Sequence, residues 1–157
     1  MNYFFEEKFL DNSLVVDFED ILINCKKNNF SAKDTCTRNG FQTPNLFDYK
    51  LIEEKKINSL SQEIMKIFGK ERSYLFHIHL IEYEKGGYQK AHDHKQTEDY
   101  SFILYLNDSD GNTVFDTIGM ETVPEKGKII FFSSDLWHWA KPSKRNKKIV
   151  VGAIKTI

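Results

Sequence analysis

Residues 73–84 read SYLFHIHLIEYE, and apolar and polar side chains largely alternate along them. A period of two is typical of a β-strand that buries one face. Seven further segments of the second half show short strand patterns between turn formers: Tyr88–His92, Tyr100–Asn107, Asn112–Asp116, Glu121–Val123, Lys128–Phe132, Leu136–Lys141 and Lys148–Ile157. Strands at this regular spacing predict a mainly β fold, a small antiparallel sandwich or barrel.

The first half of the chain shows helical periodicity instead. Apolar residues recur at steps of three and four within Asp11–Asn29 and again within Ile52–Phe68, which predicts two amphipathic helices. The stretch between them, Asp34–Asn45, is rich in turn formers and predicts a loop. We therefore expect one domain, in which residues 1–70 form the helical support and the loop, and residues 71–157 form the β core.

The composition excludes several classes of protein. Of the 157 residues, 40% are hydrophobic and 14% aromatic, which is enough for a packed core. A formal net charge of -1 argues against nucleic acid or an anionic membrane as a partner. No apolar run approaches the roughly 20 residues of a membrane span, and an acidic N-terminus is atypical of a signal peptide. We therefore expect a cytoplasmic protein, in which Cys25 and Cys36 are free thiols.

Histidine is the residue type that points most directly to chemistry. The five histidines form two HxH pairs, His77/His79 and His92/His94, plus His138. Because residues i and i+2 of a strand face the same side, either pair could present two imidazoles to one metal ion. His77 and His79 alternate with apolar residues within a strand, so we interpret them as part of a polar or cavity-lining face. His92 and His94 end a segment that opens onto a loop, where ligands often gather.

The order of motifs around these histidines resembles a known family. His92-Asp93-His94 is followed by ILYLN at 103–107, GNTVF at 111–115, VPEKGKIIFF at 123–132, His138, Pro142 and Lys148. From Tyr83 to the C-terminus, this series resembles the core of the 2-oxoglutarate- and Fe(II)-dependent dioxygenases, in particular the small prolyl-4-hydroxylase-like and phage-type members. NGFQTPNL at 39–46 resembles a segment that precedes the barrel in phage-type relatives.

The resemblance implies both a fold and a reaction. The fold would be a double-stranded β-helix, a jelly-roll barrel buttressed by two α-helices. The protein would be an enzyme that converts 2-oxoglutarate and O2 to succinate and CO2 while it hydroxylates a substrate. By resemblance alone, that substrate is a prolyl residue of a peptide or protein, although a small molecule is also open. We expect the chain to act as a monomer or a homodimer.

The resemblance also implies an iron site of two histidines and one carboxylate. His92 matches the first histidine of this site and His138 matches the distal one. His94 occupies the place of the usual aspartate, so either three imidazoles hold the iron or a nearby acid supplies the anion. The candidate acids are Asp93, Glu98 and Asp99. Strand alternation argues against Asp93, which points away from the face that its two neighbours share.

Three further residues are implied as ligands of the cosubstrate. In the family, a cation on the last strand, nine or ten positions after the distal histidine, meets the buried carboxylate of 2-oxoglutarate. Lys148 follows His138 at this spacing, and we expect it to point into the barrel. Tyr105 matches a tyrosine that helps to hold the same carboxylate, and Tyr83 matches another tyrosine that lines the site.

Two other functions stay open on the sequence alone. A cupin-type metalloprotein would use His92, His94, Glu98 and His138 as ligands and would need no buried lysine. A non-catalytic jelly-roll binding module would need no metal. The eleven-residue step from Gly127 to His138 fits the dioxygenase spacing better than the cupin spacing.

Overall fold

A computed structural model of the chain describes residues 2–48, 54–94 and 97–157. Two α-helices and nine β-strands are present in these residues. In chain order they are β1 (Phe5–Phe9), α1 (Asn12–Lys27), β2 (Thr37–Gln42), α2 (Glu54–Phe68), β3 (Ser73–His92), β4 (Tyr100–Tyr105), β5 (Thr113–Phe115), β6 (Met120–Thr122), β7 (Lys128–Ser133), β8 (His138–Ala140) and β9 (Lys147–Thr156). Within this part of the chain, no helix is long and apolar enough to cross a membrane.

The strands form one curled sheet in the order β1-β7-β4-β9-β3-β8-β5-β6, with β2 paired to β3 at the side of this path. β3 joins the two halves of the sheet. Residues 73–83 of β3 pair antiparallel with β9, and its last residues pair with β8, His92 lying opposite His138. This curled antiparallel sheet with two helices confirms the predicted fold class, a jelly-roll fold with helical support.

Alternate residues of the central strands enter two different cores. In β4, Phe102 and Leu104 belong to the larger core, which includes the buried faces of α1 and α2. Ile103 and Tyr105 face the other way and pack in a smaller core inside the barrel. The period of two in the sequence therefore separates a helix-facing side from a barrel-facing side. The side chains of the candidate active site belong to the second side or to a loop at its end.

Some local predictions from the sequence were wrong. β3 runs unbroken through Gly86 and Gly87, which were predicted to form a turn between two strands. A Cβ on Gly87 would lie 2.5 Å from the carbonyl oxygen of Asn39, so glycine here permits the close approach of β2. The predicted loop contains β2, and β1 was not predicted at all. Residues 1–70 therefore contribute two strands as well as helices. The predicted helix start at Ile52 lies outside the described residues.

Candidate active site

Three histidines meet at one end of the barrel. His92 is the last residue of β3, His138 is the first residue of β8, and His94 follows β3 by two positions. One ring nitrogen of each lies within 4.8 Å of the corresponding atoms of the other two. Among the described residues, this is the one group of three or more potential metal-ligating side chains that lie so close together. Pairing between β3 and β8 therefore brings together histidines that are 46 positions apart in the chain.

Two of these rings are oriented by backbone carbonyl groups. His92 Nδ1 lies 2.7 Å from the carbonyl oxygen of Lys90, and His138 Nδ1 lies 3.0 Å from that of Leu136. A carbonyl oxygen only accepts hydrogen bonds, so each Nδ1 carries the proton and each Nε2 keeps its lone pair. This tautomer is the one in which a histidine can bind a metal through Nε2.

The third ring is oriented by a carboxylate. His94 Nδ1 lies 3.4 Å from Glu98 Oε1. His94 Nε2 is buried and has no hydrogen-bond partner. An unpartnered buried nitrogen costs free energy, and a metal ion is a partner that would satisfy it. The three imidazoles therefore fit a divalent metal such as Fe(II).

Burial keeps the three histidines neutral. Desolvation lowers the pKa of His138 to about 3 and that of His94 to about 4, and it also lowers the pKa of His92. For His94 and His138, a positive charge on another ring of the cluster opposes protonation further. Because a metal binds the neutral imidazole, these rings are ready to bind one near pH 7 without first losing a proton.

The three acids that were candidate ligands lie elsewhere. Asp99 Oδ2 accepts hydrogen bonds from the backbone N–H and the hydroxyl of Thr156, at 2.8 and 2.9 Å, which ties it to the end of β9. Glu98 lies behind the His94 ring, and Asp93 is not a member of the cluster. The structure thus brings three imidazoles together with none of these acids among them. It gives no support to the cupin-type ligand set, which needs Glu98 on the metal.

A cavity of about 270 Å³ leads from the histidine cluster into the barrel. Its walls include the side chains of His79, Ile103, Ile149 and Val151. His79 therefore lines a cavity, as its place in the strand pattern predicted. His79 Nδ1 lies 3.0 Å from Nε2 of His77. The two histidines of the first HxH pair therefore contact each other and are not members of the cluster.

The barrel encloses Lys147, and the expectation that Lys148 points into the barrel was wrong. Lys147 is 1% exposed and lines the cavity on the same side of β9 as Ile149. Lys148 is the next residue, so its side chain points to the opposite face, with Val150 of the helix-facing core. The spacing from the distal histidine permitted nine or ten positions, and the alternation of side chains along β9 turns the ninth residue, Lys147, into the barrel.

The Lys147 ammonium is held between two groups of the barrel. Nζ donates a hydrogen bond of 2.6 Å to the carbonyl oxygen of Gly111 and lies 4.5 Å from the centre of the Tyr83 ring. A carbonyl and a ring face attract a cation without neutralising it. Desolvation lowers the pKa of Lys147 to about 8. Among the described residues, no carboxylate is bonded to this buried ammonium, which therefore suits a negatively charged ligand.

The two predicted tyrosines have different places. Tyr83 lines the cavity and donates a hydrogen bond of 2.9 Å to Gln89 Oε1. Tyr105 lies outside the cavity wall, and its hydroxyl is bonded to Thr113 Oγ1 at 2.6 Å and Thr122 Oγ1 at 2.8 Å. Since Thr113 lines the cavity, the Tyr105 hydroxyl contacts the cavity wall through Thr113, and its direct contact with the cosubstrate stays a prediction.

Several cavity residues were not predicted from the sequence. Thr113 and Gln89 line the cavity, and so does Gln42 of β2. Thr37 Oγ1 lies 2.7 Å from Gln42 Oε1 and 2.9 Å from Gln89 Oε1, which links the two amides across the β2–β3 pair. Thr113 and Gln42 lie within segments that carry the family resemblance, GNTVF and NGFQTPNL, but neither segment indicates from sequence alone that these side chains line a cavity.

Comparison with known proteins identifies a family. Residues 78–154 match a family model described as the 2OG-Fe(II) oxygenase superfamily, where 2OG is 2-oxoglutarate. The chain belongs to this superfamily. The matched residues run from β3 to β9 and contain the three histidines and Lys147. No curated protein sequence matches the chain.

Solved structures of three prolyl hydroxylases share the fold of this oxygenase. The viral collagen prolyl hydroxylase of Paramecium Bursaria Chlorella virus-1, in its 2OG complex, is 22% identical, with a TM-score of 0.65 and coverage of 100% of this chain and 97% of that one. A prolyl-4-hydroxylase of Pseudomonas putida is 18% identical, with a TM-score of 0.69 and coverage of 98% and 92%. A prolyl hydroxylase of Trichoplax adhaerens, in complex with a hypoxia inducible factor peptide fragment, is 13% identical, with a TM-score of 0.68 and coverage of 96% and 82%.

Membership of the superfamily confirms the predicted enzyme class and cofactors. The chain is a 2-oxoglutarate-dependent dioxygenase, and its family uses Fe(II) and 2-oxoglutarate. The histidine cluster and the enclosed lysine are the groups of the cavity that fit these two ligands.

Proposed function

We propose that the chain hydroxylates a prolyl residue of a peptide or protein, with His92, His94 and His138 as ligands of Fe(II) and Lys147 as the ligand of 2-oxoglutarate. One observation carries this proposal: a cluster of three neutral imidazoles and a buried ammonium line the same cavity. A dicarboxylate that binds a metal at one end and a cation at the other requires this pair of sites.

Bound Fe(II) would supply the redox chemistry, in which one atom of O2 enters succinate as 2-oxoglutarate loses CO2 and the other converts a substrate C–H bond to C–OH. The residues of the chain position the reactants. Lys147 binds the distal carboxylate of the cosubstrate, and the Gly111 carbonyl and the Tyr83 ring hold its ammonium in place. Ile103, Ile149 and Val151 form an apolar wall that limits the access of water to the reacting groups.

A groove beside the cavity supports a peptide as the substrate. This shallower depression shares Gln89, Trp139 and Ala140 with the cavity and is also lined by Tyr88 and Pro142. An extended peptide could lie in such a groove with one residue turned into the cavity. Aromatic-lined grooves of this kind suit proline-containing segments, which are extended before they bind. Three proteins that share the fold are prolyl hydroxylases, which favours the same substrate class.

The pKa of Lys147 predicts how the reaction depends on pH. Only the ammonium form attracts a carboxylate, and burial lowers its pKa to about 8. We expect kcat/KM for 2-oxoglutarate to fall as the pH rises above about 8, approaching about tenfold per pH unit, because this parameter reports the pKa of the free enzyme. Initial rates at saturating Fe(II), measured as a function of pH, test this. A value of kcat/KM that stays flat two units above that pKa would contradict it.

The proposed substrate class is tested with peptides. The protein, Fe(II) and 2-oxoglutarate are incubated in air with a panel of proline-containing peptides and with matched peptides in which alanine replaces each proline. We expect succinate and a peptide that is heavier by one oxygen atom, in equal amounts, with the proline peptides alone. Succinate formation that requires no proline, or no succinate from any peptide while the protein still binds Fe(II) and 2-oxoglutarate, would overturn the prolyl assignment.

A further inference from the structure

Glu98 is a buried acid that the proposed reaction does not use. It lies in the segment before β4 and is 8% exposed. Burial of a carboxylate is costly unless hydrogen bonds compensate it. Ser101 Oγ donates to Glu98 Oε2 at 2.5 Å, and the Thr97 hydroxyl is shared between Glu98 Oε1 at 3.3 Å and the carbonyl oxygen of His94 at 3.1 Å. Ser101 itself is completely buried in β4. The chain therefore holds this carboxylate in one orientation, away from solvent.

The orientation of Glu98 directs it at one of the three histidines. Its Oε1 lies 3.4 Å from His94 Nδ1, and its backbone N–H donates to the carbonyl oxygen of His94 at 3.2 Å. The opposite nitrogen of the same ring, Nε2, is the buried atom without a partner. Glu98, the His94 ring and the metal position would therefore lie in series, which is the usual arrangement of a carboxylate that supports a metal-binding histidine.

In the described part of the chain, no carboxylate lies behind the rings of the other two histidines in this way. His92 and His138 direct Nδ1 at backbone carbonyl groups, which are neutral. His94 is also the ligand that stands where a carboxylate would balance one charge of the metal. A set of three neutral imidazoles leaves both positive charges of a divalent ion uncompensated by the ligands themselves. Glu98 thus lies behind the ring of His94, the histidine that occupies the place of the usual aspartate.

We propose that Glu98 is the positioning residue of the metal site, which orients the His94 ring and supplies through it the negative charge that the three-imidazole set lacks. The inference rests on the proposed function because it assumes a divalent metal at the three histidines. It assigns to Glu98 a task that is distinct from metal ligation and from contact with substrate.

The test compares metal affinity with stability in the Glu98→Gln variant. Glutamine keeps the shape of the side chain and removes its charge. We expect the Kd for Co(II), measured by calorimetry in mildly alkaline buffer, to rise about 10- to 100-fold. We expect the metal-free variant to unfold at the same temperature as the original protein or above it, because a buried charge has been removed. A Kd that does not change, or a raised Kd accompanied by a lower unfolding temperature of the metal-free variant, would overturn the proposal.

Asp93→Asn is the matched control, because it removes a charge between two of the histidines without a contact to Nδ1 of either. We expect its Kd for Co(II) to rise by clearly less than that of Glu98→Gln, because Asp93 acts on the site through its charge alone and does not fix a ligand ring. A loss equal to that of Glu98→Gln would show a general charge effect and contradict the specific role. If the original protein does not bind Co(II) at all, the proposed metal site fails. If it binds Co(II) and Glu98→Gln binds equally well, the role of Glu98 alone fails.

Discussion

Lys147→Ala should raise the KM for 2-oxoglutarate by a factor between roughly 30 and several thousand. The ammonium is the buried cation of the cavity, and removal of one partner from a buried, hydrogen-bonded charge pair costs about 2–5 kcal/mol, with tenfold in affinity for each 1.4 kcal/mol. The affinity for the metal should change little, because Lys147 is not a member of the histidine cluster. Steady-state kinetics and a Co(II) titration of the same variant measure the two effects separately.

Lys148→Ala is the control that the sheet itself provides. It removes the same charge one residue further along β9, on the opposite face, where Val150 packs in the helix-facing core. We expect its KM for 2-oxoglutarate to stay within about twofold of the original, since a charge outside the cavity is screened. If Lys148→Ala is the more damaging of the two variants, the cosubstrate carboxylate does not bind Lys147.

His92→Ala should abolish metal binding and succinate formation together. It removes one of three ligands. Substitution of a residue that only supports a ligand lowers metal affinity by up to roughly 100-fold, and we expect the loss here to be larger. A Co(II) titration and a succinate assay on the same preparation test this. His92 is half-buried, so the substitution opens no large cavity in the core.

His77→Ala is the matched control for His92→Ala. Both changes delete a partly buried imidazole of β3, but His77 lies outside the cluster and contacts His79. We expect the metal affinity of His77→Ala to stay within about threefold of the original. A common loss in both variants would mean that the second HxH pair is not the metal site.

The period of the hydrophobic residues predicted the elements whose faces are clearly different. α1 and α2 bury one stripe each, so their apolar residues recur at three- and four-residue steps. β1 and β2 escaped prediction because neither has a clear alternation. β1 carries adjacent acids in FEEKF and has no fully buried residue. β2 contains Asn39 at a φ of 51° and a shift in register between Arg38 and Gly40, features that a sequence reader assigns to a turn.

The residues of the candidate site that belong to motifs could be predicted from the sequence, whereas those that depend on contacts between strands could not. The HxH motif and the distal histidine indicated three residues that the structure brings into one cluster. Lys147 could have been predicted from the sequence, because it alternates in step with Ile149 and Val151, but the family spacing admitted both lysines and Lys148 was selected. The position of Glu98 behind the His94 ring depends on its hydrogen bond with Ser101 of β4, and this contact cannot be predicted from the spacing of residues in the sequence.

A crystal structure with Mn(II) and 2-oxoglutarate, prepared without oxygen, tests the proposed site most directly. We predict one Mn(II) ion, located by its anomalous peak, that is bound by the Nε2 atoms of His92, His94 and His138. We predict that the distal carboxylate of 2-oxoglutarate contacts Lys147 Nζ. We also predict Glu98 behind the His94 ring and not on the metal. A metal held by Glu98, or a cosubstrate carboxylate bound away from Lys147, would contradict the proposed site.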